Sequence, residues 1–327
     1  MIETIFKYIG QLFSSRFEKK NPKIFTTIKS KEYLSLYAES EIKSKFFQLH
    51  SMLKGFKDVS SYVDKKKKSD TVFILGSGES INDLTNEDWK EIEENNIIGL
   101  NYSFVHPIIP DYHLMEMIPL TEMQDFFCEQ TQKRYKDVDM FFQYKHVIKS
   151  KFNLKKYNHK ERLYVHTPHL LPTIYPEVLE AYFEHLFSKN NLKLNDLVHH
   201  NSHIGCAVMF AQALGYKKIV MLGIDLNNGD YFTDSKIKTS VYGHTDSYDK
   251  INKLRTLHFN NVKEFTNKVH PTVDKDLMNS RGGVTMHDYF KVYSKVFIDN
   301  TDYKLFIGSN KSTLSKTLPV YPFECNQ

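Results

Sequence analysis

Residues 201–244, NSHIGCAVMFAQALGYKKIVMLGIDLNNGDYFTDSKIKTSVYGH, contain the pattern that decides the fold. Asn201 and Ser202 are residue types that cap helices, and the small and apolar residues of 207–215 continue a helix up to its closing glycine. Residues 219–222, IVML, form a short apolar run typical of a strand buried on both faces. In open α/β sheets, ligands bind beyond the carboxyl ends of the strands. We therefore expect chemistry at the side chains that follow this strand, which include Asp225, Asn227, Tyr231 and His244.

A second apolar run, TVFIL at residues 71–75, is followed by the Gly-rich turn GSGES at residues 76–80. A glycine turn after a first strand lets the backbone approach a phosphate or ribose closely, with amide donors exposed. The turn lacks the GxGxxG spacing and the lysine of a P-loop. Alone it fits a simple tight turn equally well, but together with the strand and loop at 219–225 it predicts a nucleotide site.

From residue 70 onward, strand patterns alternate with helix patterns, which is typical of a parallel sheet. The predicted fold is an α/β, doubly wound, mostly parallel Rossmann-like sheet with a helical insertion or lid and an N-terminal helical extension. The predicted domains are a helical extension at 1–68, a nucleotide-binding domain at 69–250 and a C-terminal part at 251–327 that completes the same domain. The lid is expected around 120–195. Further strands are expected at 97–101, 111–117, 140–142, 163–165 and 303–309, and further helices at 83–94, 254–269 and 286–297.

Composition excludes several classes of protein. The 327-residue chain has a net charge of +5 and no nucleic-acid-binding signature, so no nucleic-acid partner is expected. Its three cysteines are scattered without metal or disulfide spacing, which favours a reducing cytoplasm. No apolar run approaches the length of a membrane span, and nothing resembles a cleavable signal peptide.

The first twenty residues have apolar side chains at helical spacing, from Ile2 to Phe17, followed by a basic group that ends at Lys23. One interpretation is an amphipathic helix packed against its own domain or against a second subunit of a homo-oligomer. The other is a peripheral contact of residues 1–23 with the inner face of the inner membrane. The four lysines at 65–68 are interpreted as a solvated boundary, with a phospholipid contact as the alternative.

The order of these motifs resembles that of the bacterial sialyltransferases that use CMP-sialic acid in lipooligosaccharide synthesis. The similarity covers roughly residues 70–315, and its most specific part is ALGYKKIVMLGID, at 213–225, followed by YGH at 242–244. The resemblance implies a glycosyltransferase that uses a CMP-activated acidic 2-keto sugar and a hydroxyl acceptor on a glycan or lipid-linked oligosaccharide. It also implies that no metal or other cofactor is required.

The family's functional positions transfer to this chain residue by residue. The resemblance implies that His244 is the general base and that Tyr231 hydrogen-bonds the leaving phosphate in place of a metal. Three positions depart from the family. Two of them are Ser77, where an asparagine is usual, and Asn227, where a second tyrosine is usual. The nucleotide and donor sugar would be held by Gly76, Ser77, Gly78, Asn101, Gly223 and Asp225.

Glu116 stands where those sialyltransferases usually have asparagine. Together with Asp225 and His244 it resembles the retaining transferases of 3-deoxy-octulosonic acid (Kdo), which also use CMP-linked donors and a carboxylate. A retaining CMP-Kdo transferase with a carboxylate nucleophile therefore stays open as an alternative. Asp225 has three interpretations: a hydrogen-bond acceptor for substrate, a nucleophile, or a residue that caps the next turn.

Two other groups of residues could suggest a metal. Asp137 and Asp139 form a DxD triplet, as in metal-binding nucleotide-diphosphosugar transferases, but their polar surroundings favour a surface position. His199, His200 and His203 have no carboxylate or cysteine at ligand spacing. We interpret these histidines as flanking a helix N-terminus, where they face the donor carboxylate, with Ser202 and His203 among the donor-binding residues. No metal site is therefore predicted.

Two further alternatives remain from different classes. A Gly-rich first turn with a GxD strand also resembles a pterin diphosphokinase, which would need ATP and Mg²⁺. A non-catalytic scaffold for polysaccharide export, with a relic nucleotide pocket, is the other alternative. Binding of cytidine nucleotides would distinguish the transferase from both.

Overall fold

The structure is a computed structural model, and it describes residues 31–171, 173–187, 192–227, 230–234, 240–260, 270–299 and 301–323. The predicted amphipathic helix and the predicted membrane contact of residues 1–23 lie outside this part of the chain. Within it, no helix combines the length and apolar character needed to cross a membrane.

An eight-stranded sheet forms the centre of the molecule, and every pairing in it is parallel. A separate pair of short strands, β7 and β8, also runs parallel. The spatial order of the large sheet is β1-β6-β5-β4-β3-β2-β9-β10. The strands are β1 (Lys57–Asp58), β2 (Thr71–Leu75), β3 (Asn96–Leu100), β4 (Tyr112–Met115), β5 (Asp139–Gln143), β6 (Leu163–His166), β7 (His169–Leu170), β8 (Val198–His199), β9 (Lys218–Leu222) and β10 (Lys304–Ile307).

Helices cover both faces of this sheet, so the predicted doubly wound α/β fold is confirmed. Successive residues of β2 show why the strands are continuous apolar runs. Val72 and Ile74 join one hydrophobic cluster, and Phe73 and Leu75 join the cluster on the opposite face. The helices are α1 (Lys31–Leu53), α2 (Asn86–Glu94), α3 (Thr121–Arg134), α4 (Tyr144–Ser150), α5 (Pro176–Phe187), α6 (His203–Ala213), α7 (Asp246–Asn260), α8 (Lys275–Ser280) and α9 (Met286–Tyr293).

The helix α6 is the one predicted from the organising stretch, and it is buried from His203 to Gln212. A helix surrounded by protein needs small and apolar residues on every side, which this sequence supplies. Gly205 contributes to this packing because a Cβ there would lie 2.6 Å from the Tyr289 hydroxyl. Ser202 caps the N-terminus of α6, because its hydroxyl accepts a hydrogen bond from the Ile204 amide at 3.3 Å.

The chain reverses direction across the sheet at one point. From β2 it moves outward through β3, β4, β5 and β6, and it then returns to the other side of β2 as β9. This arrangement makes the carboxyl ends of β2 and β9 a topological switch point. A ligand site is expected at that place in an open α/β sheet.

The predicted lid around 120–195 is wrong in part, because β5 and β6 lie inside this segment and belong to the central sheet. The helical part of the segment, α5, packs in the core against α9, where Phe183 contacts Tyr289 and Tyr293 edge to face. The aromatic content that suggested a lid therefore reflects core packing.

At the other boundary, the predicted extension 1–68 includes β1, which adds an edge strand next to β6.

Candidate functional site

A cavity of about 430 Å³ lies at the switch point. The residues that directly follow four neighbouring strands, β4, β3, β2 and β9, all line it: Glu116, Asn101, Gly76 and Gly223. Because the carboxyl ends of parallel strands meet at one edge, residues far apart in sequence converge here. The volume is within the range of small-ligand sites, about 300–1,000 Å³.

Most of the residues selected from the sequence line this cavity. His244 does not. The predicted residues that do so are Gly76, Ser77, Gly78, Asn101, Glu116, Ser202, His203, Gly223, Asp225, Asn227 and Tyr231.

The two glycine-containing loops are joined by their backbones. The Gly76 amide donates to the Leu222 carbonyl at 2.8 Å, and the Ser77 and Gly78 amides donate to the Gly223 carbonyl at 3.1 and 2.7 Å. The expectation that these amides are exposed donors for a phosphate is therefore wrong. The glycine at 78 is needed for close approach instead, because a Cβ there would lie 2.6 Å from the Asp225 carboxyl carbon.

The Asp225 carboxylate is buried and engaged across this junction. It accepts a hydrogen bond from the Ser80 amide at 2.9 Å and another from the Ser80 hydroxyl at 2.5 Å. Burial raises the pKa of the Asp225 carboxyl, while both hydrogen bonds from Ser80 oppose that shift. Of the three interpretations of Asp225, this geometry favours capping of a turn. The turn that Asp225 caps is the one after β2, which contains Ser80, and not the turn that follows Asp225 itself.

Tyr231 lies under a cation. The Arg255 guanidinium carbon is 3.3 Å from the centre of the Tyr231 ring, and Arg255 Nη1 also donates to Asp234 at 3.1 Å. Burial raises the pKa of the Tyr231 hydroxyl. Both side chains line the cavity, so the tyrosine predicted at the leaving phosphate has a guanidinium beside it.

Glu116 and Asn101 are held together at the ends of β4 and β3. The Glu116 amide donates to Asn101 Oδ1 at 2.9 Å, and Asn101 has a positive φ of 45°, which asparagine tolerates better than most residues. Burial opposes ionisation of Glu116, but His203, His199 and His146 together hold the pKa of its carboxyl well below the usual range. The carboxylate is thus ionised at neutral pH.

The N-terminus of α6 contributes an unsatisfied imidazole to the cavity. His203 is 3% exposed, and neither ring nitrogen has a hydrogen-bond partner within the described parts of the chain. Burial lowers the pKa of His203 to about 4, so the ring is neutral near pH 7. A buried neutral imidazole without a partner can accept or donate a proton to a ligand in the cavity.

His244 lies away from the cavity for identifiable reasons. The preceding Tyr242 packs edge to face against Trp89 and His106, at 5.5 Å between ring centres in each case. The half-exposed His244 then pairs with Asp249 of α7 at 3.1 Å. The resemblance predicts His244 as a general base beside the donor, but the structure places His244 outside the cavity.

The DxD triplet lies at the amino end of β5, on the edge of the sheet opposite the cavity. Asp137 is exposed as predicted. The surface prediction is wrong for Asp139, which is 6% exposed and pairs with Lys66 at 2.9 Å and Arg162 at 3.3 Å. These two cations compensate the buried charge and account for its position.

Several cavity residues had no signal in the sequence. Arg255 comes from the middle of α7, and its position in the amphipathic pattern resembles that of any surface arginine. Beside the cavity, although not among its lining residues, the imidazole of His146 from α4 lies 3.7 Å from the Glu116 carboxylate, and it was also missed. The remaining lining residues that were not predicted include Leu226, Asp230, His270 and Thr272.

No model of a protein family matches the chain, and no curated protein matches it.

Proposed function

We propose that the chain transfers an acidic 2-keto sugar, such as sialic acid, another nonulosonic acid or Kdo, from its CMP-activated form to a glycan hydroxyl. One observation carries the proposal. The positions to which the resemblance assigns donor binding, from Gly76 to Tyr231, line one cavity at the switch point of the sheet. That is where an open α/β sheet binds nucleotides.

The leaving phosphate is the centre of the proposed chemistry. Cleavage of a CMP-sugar places negative charge on CMP, and hydrogen-bond donors fixed around that charge lower the barrier. Arg255 and the hydroxyl of Tyr231 are hydrogen-bond donors that line the cavity side by side. On another wall, the N-terminus of α6 supplies the positive end of a helix dipole. These groups act on the phosphate without a bridging Mg²⁺.

The proton of the attacking hydroxyl goes to an imidazole. In the proposal this role belongs to His203, because it lines the cavity and has no competing partner among the described residues. His244 is not assigned the role, since its ring pairs with Asp249 outside the cavity.

A single displacement is preferred to the retaining alternative. The Asp225 carboxylate is occupied by Ser80, and the Glu116 carboxylate is occupied by His199 at 2.8 Å. A carboxylate that attacks the sugar would first have to give up these hydrogen bonds. The engagement of both carboxylates therefore favours inversion at the sugar carbon.

The experiment that tests the proposal is CMP release from a panel of donors: CMP-sialic acid, CMP-Kdo and other CMP-nonulosonates, without added Mg²⁺. UDP- and CDP-linked sugars are the control donors. We expect turnover of one CMP-linked donor in the presence of a glycan acceptor. Absence of both turnover and calorimetrically detectable CMP binding would reduce the resemblance to a shared fold, and turnover of ATP with a pterin would favour the diphosphokinase.

A further inference from the structure

Three side chains from separate elements converge beside the cavity. Glu116 follows β4, His146 lies in the first turn of α4, and His199 ends β8. The Nε2 atoms of both histidines face the same carboxylate oxygen, Glu116 Oε1, at 2.8 Å for His199 and 3.7 Å for His146. The three ligand atoms all lie within 4.8 Å of one another.

Two of the three ligand-atom distances suit a tetrahedral ion, and the third is no longer than 4.8 Å. Ligands about 2.0–2.1 Å from a tetrahedral Zn²⁺ lie roughly 3.3 Å from one another. The two distances to Oε1, 2.8 and 3.7 Å, bracket that value. Two imidazoles and one carboxylate, with a fourth position left open, form a donor set found in catalytic zinc sites. Imidazole favours Zn²⁺ and similar ions over Mg²⁺, which prefers oxygen ligands.

An ordinary ion pair does not account for the surroundings. His199 alone already provides a hydrogen-bond partner for Glu116 at 2.8 Å, yet His203 and His166 lie stacked nearby, with ring centres 5.5 Å apart and planes 4° from parallel. Both are at least 97% buried, since their exposed fractions are 3% and 1%. None of their four ring nitrogens has a hydrogen-bond partner among the described residues. Because unpaired buried polar groups are costly, an unpartnered imidazole that lines the cavity indicates a ligand there.

Glu116 is held in position, and both Glu116 and His199 are accessible from a cavity. Asn101 fixes the backbone of Glu116 by accepting its amide hydrogen bond at 2.9 Å. Glu116 lines the cavity of about 430 Å³ at the switch point, which we call the main cavity. His199 lines a second cavity of about 280 Å³, and Asn201 lines both. An ion can therefore enter from either side without unfolding the site, and its open position can face the main cavity.

We propose that Glu116, His146 and His199 bind one Zn²⁺ ion, or a divalent ion of the same class, with an open coordination position toward the main cavity. This inference is independent of the proposed function, because it rests on the three side chains and their surroundings and is tested without a sugar donor. With the ion in place, Glu116 is a ligand and not a nucleophile.

The test uses the full chain without a polyhistidine tag, stripped of metal and titrated with Zn²⁺ against a competing chelating dye. We expect one Zn²⁺ per chain, and Co²⁺ in its place should give the intense visible absorption of a four-coordinate ion. Mg²⁺ should not compete. Loss of any one ligand should weaken Zn²⁺ binding by about 100-fold or more, as tested with His146→Ala, His199→Ala and Glu116→Gln. Loss of a residue that only supports a ligand weakens metal binding by about 10- to 100-fold.

A matched control is available in His244→Ala, which removes another histidine paired with a carboxylate, at 3.1 Å, but outside the cluster. It should bind Zn²⁺ as the unaltered chain does. Near-UV circular dichroism checks that each variant is folded, and His199→Gln serves as a milder variant. Uptake of less than one Zn²⁺ per unaltered chain would overturn the proposal. So would a Zn²⁺ affinity of folded His199→Gln or Glu116→Gln equal to that of the unaltered chain. CMP release that fails while Zn²⁺ binds would leave this inference intact and remove the proposed transferase.

Discussion

Asp225 accepts two hydrogen bonds from Ser80, one from its backbone amide at 2.9 Å and one from its hydroxyl at 2.5 Å. The pair joins the loop after β9 to the turn after β2, and so fixes both walls of the switch point relative to each other. A carboxylate that the sequence placed among catalytic candidates thus has a structural task at the same site.

Ser80→Ala should lower stability at neutral pH. The hydroxyl is one of two donors to a buried carboxylate, and a lost hydrogen bond to a charged group costs about 1.5–3 kcal/mol. The folded-state pKa of Asp225 is raised, so its contribution is fully present below about pH 3.8, the ordinary value, and is lost as pH rises. The Ser80 hydroxyl favours the ionised form of Asp225 and so limits that loss at higher pH. The destabilisation caused by Ser80→Ala should therefore be larger at pH 7 than at pH 4, as measured by urea unfolding at both values.

The matched control for this prediction is Ser315→Ala, whose hydroxyl donates to the Asn310 carbonyl on the surface at 3.2 Å. Its effect should stay within about 0.5 kcal/mol. Equal unfolding free energies for Ser80→Ala and the unaltered chain at pH 7 would contradict the role assigned to this pair.

Gly78→Ala should disrupt the cavity for steric reasons. Its φ is −73°, which any residue adopts, but an added Cβ would lie 2.9 Å from the Gly223 carbonyl oxygen and against the Asp225 carboxylate. Overpacking against the backbone costs typically about 1–3 kcal/mol. We expect a lower thermal midpoint and loss of CMP binding.

Gly55→Ala is the comparison for that variant, because its Cβ would meet nothing within 4 Å although its φ is +80°. It should retain CMP binding and lose only the smaller free energy of a strained φ, roughly 1 kcal/mol. Full CMP binding by Gly78→Ala would argue against the tight junction of the two loops.

The strands and the place of the cavity were predictable because both follow from local sequence. Strands buried on two faces need continuous apolar runs, so residues 71–75 and 219–222 were identified almost to the residue, as β2 and β9 show. The cavity then follows from the rule on carboxyl ends, which requires no knowledge of side-chain packing.

The remaining features depend on contacts between distant segments, which no single stretch encodes. Arg255 reaches Tyr231 only because α7 packs beside the loop after β9, and His146 reaches Glu116 only because α4 follows a neighbouring strand of the sheet. Asp139 looked exposed because its compensating cations lie 73 residues before it, at Lys66, and 23 residues after it, at Arg162. Tertiary pairing, and not local polarity, decides the position of such charges.

Arg255→Lys should weaken CMP binding while the chain stays folded. Lysine keeps the charge but loses the planar group that stacks on Tyr231 and donates to Asp234 and to a phosphate together. A charge-assisted hydrogen bond contributes about 1.5–3 kcal/mol, so the dissociation constant of CMP should rise roughly 10- to 100-fold in calorimetry. Arg162→Lys, which alters the ion pair at the opposite edge of the sheet, should bind CMP normally. An unchanged constant for Arg255→Lys would place the phosphate elsewhere.

His106→Phe should reduce the acid sensitivity of folding. The ring is buried against Trp89 and Phe232, and burial, with a smaller effect of Arg134, lowers the pKa of His106 to about 3. Between about pH 6.5, the ordinary value, and pH 3 the unfolded chain binds a proton that the folded chain excludes, so stability falls as pH falls. As pH falls through that window, the free energy of unfolding of the phenylalanine variant should decrease by up to about 1.4 kcal/mol less per pH unit than that of the unaltered chain. Unfolding free energies measured at pH 7, 6 and 5 with the same slope for both chains would contradict this assignment.

His203→Ala and His244→Ala distinguish the structural assignment of the general base from the one that the sequence resemblance implies. His203 lines the cavity with two unpartnered nitrogens among the described residues, whereas His244 pairs with Asp249 beyond it. If proton removal belongs to His203, its loss should lower kcat by about 10²–10⁴ with little change in CMP affinity, since a general base acts in the transition state. His244→Ala should then change kcat less than about threefold. The reverse order, with His244→Ala the slower enzyme and both variants folded, would mean that His244 moves to the donor in the reacting complex, as the YGH motif suggests.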